Sequence, residues 1–280
     1  DPHSGKRASA WIAGGGTLGG VLGGLAARRA SHLVSLPTML LILAGTNLFC
    51  ALGSHFLWGA SRRAEAVEPA SADLPLLSSV HILRASPYLR KLSIVVTLGA
   101  VTAGLLDYVL SAEAVKVFAR GPELLSFFAF FGLIVSVFSF LLQLLLGRIA
   151  LEKLGLVVTI ALLPGFVVLG GAFGLLLPGL WSTGILRAGE AAQRNSLFRS
   201  AYEMLYTPLS EEKKRSAKTL IDVAFDRLGT MSAGGIAMLV PLMAPRRTSE
   251  VLLCVGVACS LVALSLARPL HVGYVAVLEE

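Results

Sequence analysis

Apolar runs of roughly twenty residues recur along this chain, parted by short charged clusters, and this spacing restricts the fold more than any other feature. A run of that length as a helix matches the apolar thickness of a bilayer. It is too long for a membrane barrel strand of about 9–11 residues. The runs predict an all-α polytopic helix bundle with about eight spans. They lie at roughly Ala8–Ala27, Leu33–Ala60, Leu89–Ser111, Leu124–Leu146 and Leu154–Leu177. A sixth begins near Gly179, a seventh lies within Leu220–Met243, and an eighth within Val251–Ala267.

Composition agrees. Hydrophobic residues make up 55% of the chain and charged residues 15%, against about 25% charged in soluble domains. A soluble fold of this chain would leave large apolar patches in water, so a lipid bilayer is the expected partner. The net charge of +7 is spread in clusters between apolar runs. Nucleic-acid binding needs a continuous basic stripe instead, so that partner is not expected. Cys50, Cys254 and Cys259 sit in apolar stretches and read as small packing residues. The five histidines are scattered without metal-ligand spacing, and no nucleophile–base pattern stands out. Neither a metal, a cofactor nor an enzymatic activity is expected.

Charge placement tests the span count. With connections alternating between two sides, fifteen Lys and Arg fall on one side and six on the other, leaving Arg187, Arg194 and Arg199 inside a helix. The richer side should be cytoplasmic and would hold both chain ends, in the cell's inner membrane. The longest connection, residues 61–88, is polar and proline-bearing and reads as a cytoplasmic linker between two bundles. Residues 1–60 would supply two helices and residues 89–280 six. Six is the size of one half of a major-facilitator transporter, so four further helices are expected ahead of Asp1.

The sixth run is the most polar. Arg187, Glu190 and Arg194 fall at i, i+3 and i+7, on one helical face. Arg199 and Glu203 form an i, i+4 pair on another. Ionisable groups in a membrane segment are costly, and usually face a cavity or a partner. Arginine forks fit phosphate or carboxylate oxygens. The plainer alternative is that Glu190 merely neutralises its arginines. Asp107 is the only acid within the third run, four residues before its apparent end, where it is either functional or solvated. In Pro208–Gly229, Ser210 reads as a helix cap. Ala217, Leu220, Ile221, Ala224, Phe225 and Leu228 follow helical spacing, with Lys218 and Asp222 four apart. This segment is either a surface helix or the start of the seventh span, bringing Asp222, Asp226 and Arg227 to a cavity mouth. In the first run, Gly15-Gly19-Gly23 and Gly16-Gly20-Gly24 make faces for close helix packing. No strand or Gly-Lys-Ser/Thr ending supports a phosphate loop there.

The stretch Arg194-Asn-Ser-Leu-Phe-Arg-Ser-Ala-Tyr-Glu-Met-Leu-Tyr-Thr-Pro-Leu-Ser-Glu-Glu, followed by Lys218-Thr-Leu-Ile-Asp-Val and Arg227-Leu-Gly229, resembles the ATP/ADP translocase-type nucleotide transporters of plastids and obligate intracellular bacteria. The agreeing positions are Ser196, Leu197, Phe198, Glu203, Met204, Tyr206, Pro208, Leu209, Lys218, Ile221, Asp222, Val223, Arg227 and Gly229. Asp107 is similar to an acid in the family's seventh helix. The acid- and lysine-bearing loop Glu113–Lys116 is similar in style to bacterial relatives. Three positions depart: Arg199 replaces an Asp, Tyr202 a Lys, and Thr230 a Lys.

The resemblance implies a major-facilitator-like fold and a secondary transporter. Such a protein would exchange ATP/ADP or a related organic anion by alternating access. Arg187, Arg194 and Arg199 would attract phosphate oxygens, and Glu190 and Asp107 would tune charge. Glu203, Lys218, Asp222 and Arg227 would form a gate or access point. The alternative from another class is a non-transporting membrane anchor or sensor module, its charges fully paired.

Overall fold

A computed structural model describes Gly19, Gly20, residues 22–26, Arg29, and residues 36–62, 83, 86–119, 121–207 and 211–279. Among these, all regular structure is helical. Helix α1 is Leu36–Arg62, α2 Pro87–Val117, α3 Pro122–Ile149 and α4 Gly155–Leu176. Helix α5 is Leu180–Gln193, α6 Arg199–Met204, α7 Glu211–Thr219, α8 Asp226–Met243 and α9 Thr248–Glu279. Short π-helical turns at Ala150–Leu154, Arg194–Phe198 and Leu220–Phe225 join α3 to α4, α5 to α6 and α7 to α8.

Local chemistry sets the boundaries. The Ser86 hydroxyl accepts from the Leu89 amide at 3.4 Å, and Pro87 occupies the first turn, where its missing N–H costs nothing. Gly121, at φ 124°, permits the tight passage from α2 to Pro122 at the start of α3. Gly155, at φ 76°, redirects the chain into α4. Helix α2 outruns its expected end at Ser111. Ala112, Glu113, Ala114 and Lys116 are good helix formers, and Lys116 bonds Glu113 at 2.6 Å. The expected Glu113–Lys116 loop is therefore helix, and Asp107 lies well inside α2. Helix α9 likewise runs past Ala267, through Pro269.

Among the described residues, six helical stretches are long and apolar enough to cross a bilayer: Pro37–His55, Pro87–Val117, Pro122–Gly147, Gly155–Leu176, Lys214–Met243 and Thr248–Ala276. Leu169, Trp181, Met238, Leu242 and Met243 point outward, as expected where lipid is the solvent. The sixth expected span is helical, but with Arg187, Glu190, Arg194, Arg199 and Glu203 it is too polar to stand among the six. Most of the first span, the linker after Arg62 and Ser210 lie outside the described residues.

Helix α2 is the hub. It packs against α9, α8 and α5, while α4 packs against α9 and α5, and α3 against α5. Small residues let these helices approach. A methyl group at Gly229 would lie 2.6 Å from the Thr97 carbonyl oxygen, and one at Gly104 would lie 2.6 Å from Ala233 Cβ. Association in lipid rests on such close packing rather than on expelling water. Helix α1 has none of its apolar span buried. Of the glycine faces in the first span, Gly20 and Gly24 abut Ser136 and Leu133 of α3, whereas Gly19 and Gly23 have open space beside them.

The turn at Leu220–Phe225 changes the register expected for the seventh span. A π turn takes in an extra residue, which rotates everything after it. Ala217, Leu220 and Ile221 are buried as their spacing predicts, but Leu228 is exposed and Gly229 buried in its stead. The turn also makes the Phe225 carbonyl available to Thr97 Oγ1, which donates to it at 3.3 Å.

Candidate functional site

The charges expected on one face of the sixth span do meet, and α2 completes the group. Arg194 Nε donates to Glu190 Oε1 at 2.7 Å, and Arg187 Nη1 donates to Glu190 Oε2. These bonds follow from i, i+4 and i, i+3 spacing on α5. Arg187 presents its other edge to α2: Nε donates to Asp107 Oδ1 at 2.6 Å and Nη2 to Asp107 Oδ2 at 2.8 Å. Arg194 Nη2 donates to the Gly99 carbonyl at 2.7 Å. The guanidinium rests on the bare backbone there, since a Cβ at Gly99 would lie 3.5 Å from both of its terminal nitrogens.

Two guanidinium and two carboxylate groups make the cluster neutral. Burial separates its members: the Glu190 side chain is 0% exposed, Arg187 13%, Arg194 25% and Asp107 59%. An isolated charge at this depth would be prohibitive, and mutual pairing is what permits it. Beside Glu190 and Arg194 lies a cavity of about 20 Å³, also lined by Gly99, Thr102 and Ser260. It is large enough for one water molecule.

The remaining expected residues gather at another level. Arg199 is exposed and stands apart from the four-charge cluster. It does not pair with Glu203. Glu203 instead receives both bonds of Lys218 Nζ, at 2.6 and 2.8 Å. Lys218 therefore does not pair with Asp222, whose Oδ1 accepts from the Tyr202 hydroxyl. The Tyr202 and Tyr206 hydroxyls bond each other, and Tyr88 of α2 donates to the Leu205 carbonyl at 2.6 Å. Arg227 is exposed. Tertiary contacts override the local pairings: Glu203 meets Lys218 of α7, and Asp222 meets Tyr202 of α6.

Gly99, Tyr88, Tyr202 and Tyr206 were not singled out as site residues from the sequence. The visible signals were the i, i+4 spacing of Tyr202 and Tyr206 and their places in the stretch that resembles the transporters. At the far end of α2 a further cavity of about 360 Å³ is lined by Glu113, Lys116, Arg246, Arg247, Ser249 and Glu250. There Ser249 donates to Glu113 at 2.7 Å.

A bundle of long apolar helices with ionic groups held at depth defines a multi-pass membrane protein. The chain is similar to ADP,ATP carrier protein 2, chloroplastic, of Arabidopsis thaliana, with 26% identity over 225 residues, covering 70% of this chain and 35% of the carrier. It is also similar to ADP,ATP carrier protein 1, chloroplastic, of the same plant, at 26% over 221 residues with the same coverages. The chain thus spans about a third of the length of these relatives. No protein-family model matches it.

Proposed function

We propose that this chain is part of a secondary transporter that exchanges nucleotides, ATP and ADP first among them, by alternating access. The observation that carries the reading is the Arg187–Glu190–Arg194 cluster. It is held at bundle depth, with Glu190 fully buried and Arg194 and Asp107 partly exposed. Arginines retained at such a cost suit a substrate rich in phosphate oxygens. The similarity to carriers named for ADP and ATP supports the same substrate class.

In this reading the fold is major-facilitator-like. Residues 1–60 belong to an N-terminal bundle, 61–88 form a linker, and 89–280 form the C-terminal six-helix bundle. Both ends of the chain are cytoplasmic, and the membrane is the cell's inner membrane. The contact of Gly20 and Gly24 with α3 would then be a seam between bundles. Arg187 and Arg194 bind phosphate oxygens, and Arg199, outside the cluster, adds positive charge. Glu203, Lys218, Asp222 and Arg227 form the gate. No nucleotide is hydrolysed.

The test is exchange of labelled ATP and ADP by the full-length protein in proteoliposomes, with Arg194→Ala and Arg187→Ala alongside. Exchange that either substitution reduces at least about tenfold supports the reading, the factor corresponding to loss of one charge-assisted contact. Exchange indifferent to both removes the site assignment. The neutral, mutually saturated cluster favours a second reading, a membrane anchor or sensor. No solute movement, with the cluster needed only for thermal stability, would establish that alternative.

A further inference from the structure

We propose that Asp107 is a displaceable stand-in for the substrate's anionic group, whereas Glu190 is a fixed counter-charge. An incoming anion takes the place of Asp107 on Arg187 and so unclasps α2 from α5. This rests on the reading of the cluster as a substrate site and specifies how that site is opened.

The two carboxylates differ in every property that governs whether they can leave. Glu190 is fully buried and accepts from arginines on both sides of it along its own helix. Removing it would strip two guanidinium groups at once. Asp107 comes from another helix, 80 positions away in sequence, and its side chain is more than half exposed. Among the described residues its carboxylate oxygens bond Arg187, and no group of its own helix holds it in place.

The bond it gives up is a two-oxygen fork on the Nε and Nη2 edge of Arg187. A phosphoryl group offers two oxygens at similar spacing to the same edge. The exchange of one oxyanion for another leaves Arg187 paired throughout and its Nη1 bond to Glu190 untouched. A carboxylate that is more than half exposed gives up less on leaving an arginine than a buried one does. An anion with several charged oxygens can therefore displace it.

The displacement has a structural consequence. Asp107 and Gly99, two turns apart on α2, are its polar ties to α5 and the following π turn. An anion on Arg187 breaks the first and leaves the second. Site occupancy is thus converted into loosening of α2 against α5 at the Asp107 level. With the site empty, the carboxylate returns and the clasp re-forms.

The test titrates inorganic pyrophosphate, and separately ATP, onto the full-length protein in nanodiscs, comparing wild type with Asp107→Asn and Asp107→Ser. Both variants should bind pyrophosphate about three- to fivefold more tightly, the factor set by one exposed competing ion pair. In ATP exchange they should show a lowered KM and a lowered kcat, because a bound anion is no longer pushed out by the returning carboxylate. A purely structural role for Asp107 would not lower KM. Unchanged or weaker binding in both variants overturns the proposal, as does absence of pyrophosphate binding in all forms. If wild type exchanges ATP with a KM indifferent to Asp107, the clasp falls while nucleotide exchange stands. If pyrophosphate binds more tightly to the variants but no nucleotide is exchanged, the clasp stands and the nucleotide reading falls.

Discussion

The four-charge cluster of α2 and α5 and the tyrosine-rich end of the same bundle solve one problem, polar groups among apolar helices, in different ways. In the cluster, charges neutralise charges, and the partner that matters most is fully buried. At the other end, Tyr88, Tyr202 and Tyr206 use neutral hydroxyls to secure a backbone carbonyl, a carboxylate and each other. The ion pair there, Lys218 with Glu203, is 33% and 46% exposed. Ionic groups at depth are expensive to isolate, so that region carries the interactions that cannot be lost singly. Neutral hydrogen bonds nearer the helix ends fasten elements at a lower cost when broken.

The largest effect should come from Glu190→Gln. It leaves two guanidinium groups short of a counter-charge and should destabilise the full-length protein by about 3–5 kcal/mol, read as thermal unfolding in detergent. Asp107→Asn should cost under about 1 kcal/mol in the same assay, because the pair it breaks is partly solvated. Equal losses would erase the contrast between the fixed and the displaceable carboxylate.

Gly229→Ala tests the frame that holds the two regions in register. Its methyl group would press on the Thr97 carbonyl and on Ala100, and we expect a loss of about 1–3 kcal/mol from overpacking. A neutral result would mean that α8 shifts freely over α2.

Tyr88→Phe sharpens the comparison at the hydrogen-bonded end. The Leu205 carbonyl loses its donor, and the penalty for a buried unsatisfied acceptor is about 1–3 kcal/mol. Tyr202→Phe should fall lower, at about 1 kcal/mol, since the exposed Asp222 can turn to water.

Lys218→Met should have the smallest effect, about 0.2–1 kcal/mol, and high salt should abolish the difference from wild type. A loss comparable to that of Glu190→Gln would show that this pair is shielded, and that the two ends are alike.

Periodicity and run length carried the helical fold and the position of most spans. They are local properties, and a bilayer-length apolar run has few ways to satisfy its backbone other than as a helix. The shared face of Arg187, Glu190 and Arg194 was legible for the same reason: contacts three and four residues apart are dictated by helix geometry. Where a rule of that range was applied across a π turn, it failed. Leu228 turned outward and Gly229 inward, and Asp222 took a tyrosine; Glu203, within α6 together with Arg199, took Lys218 because α7 brings it within reach.

What only the tertiary structure decided is which distant groups meet. Asp107 and Arg187 are 80 residues apart, Tyr88 and Leu205 are 117, and no periodicity joins them. Those meetings follow from how α2 crosses α5 and from glycines that let helices close to contact distance. Crossing geometry is a property of two packed surfaces together, so neither segment specifies it alone.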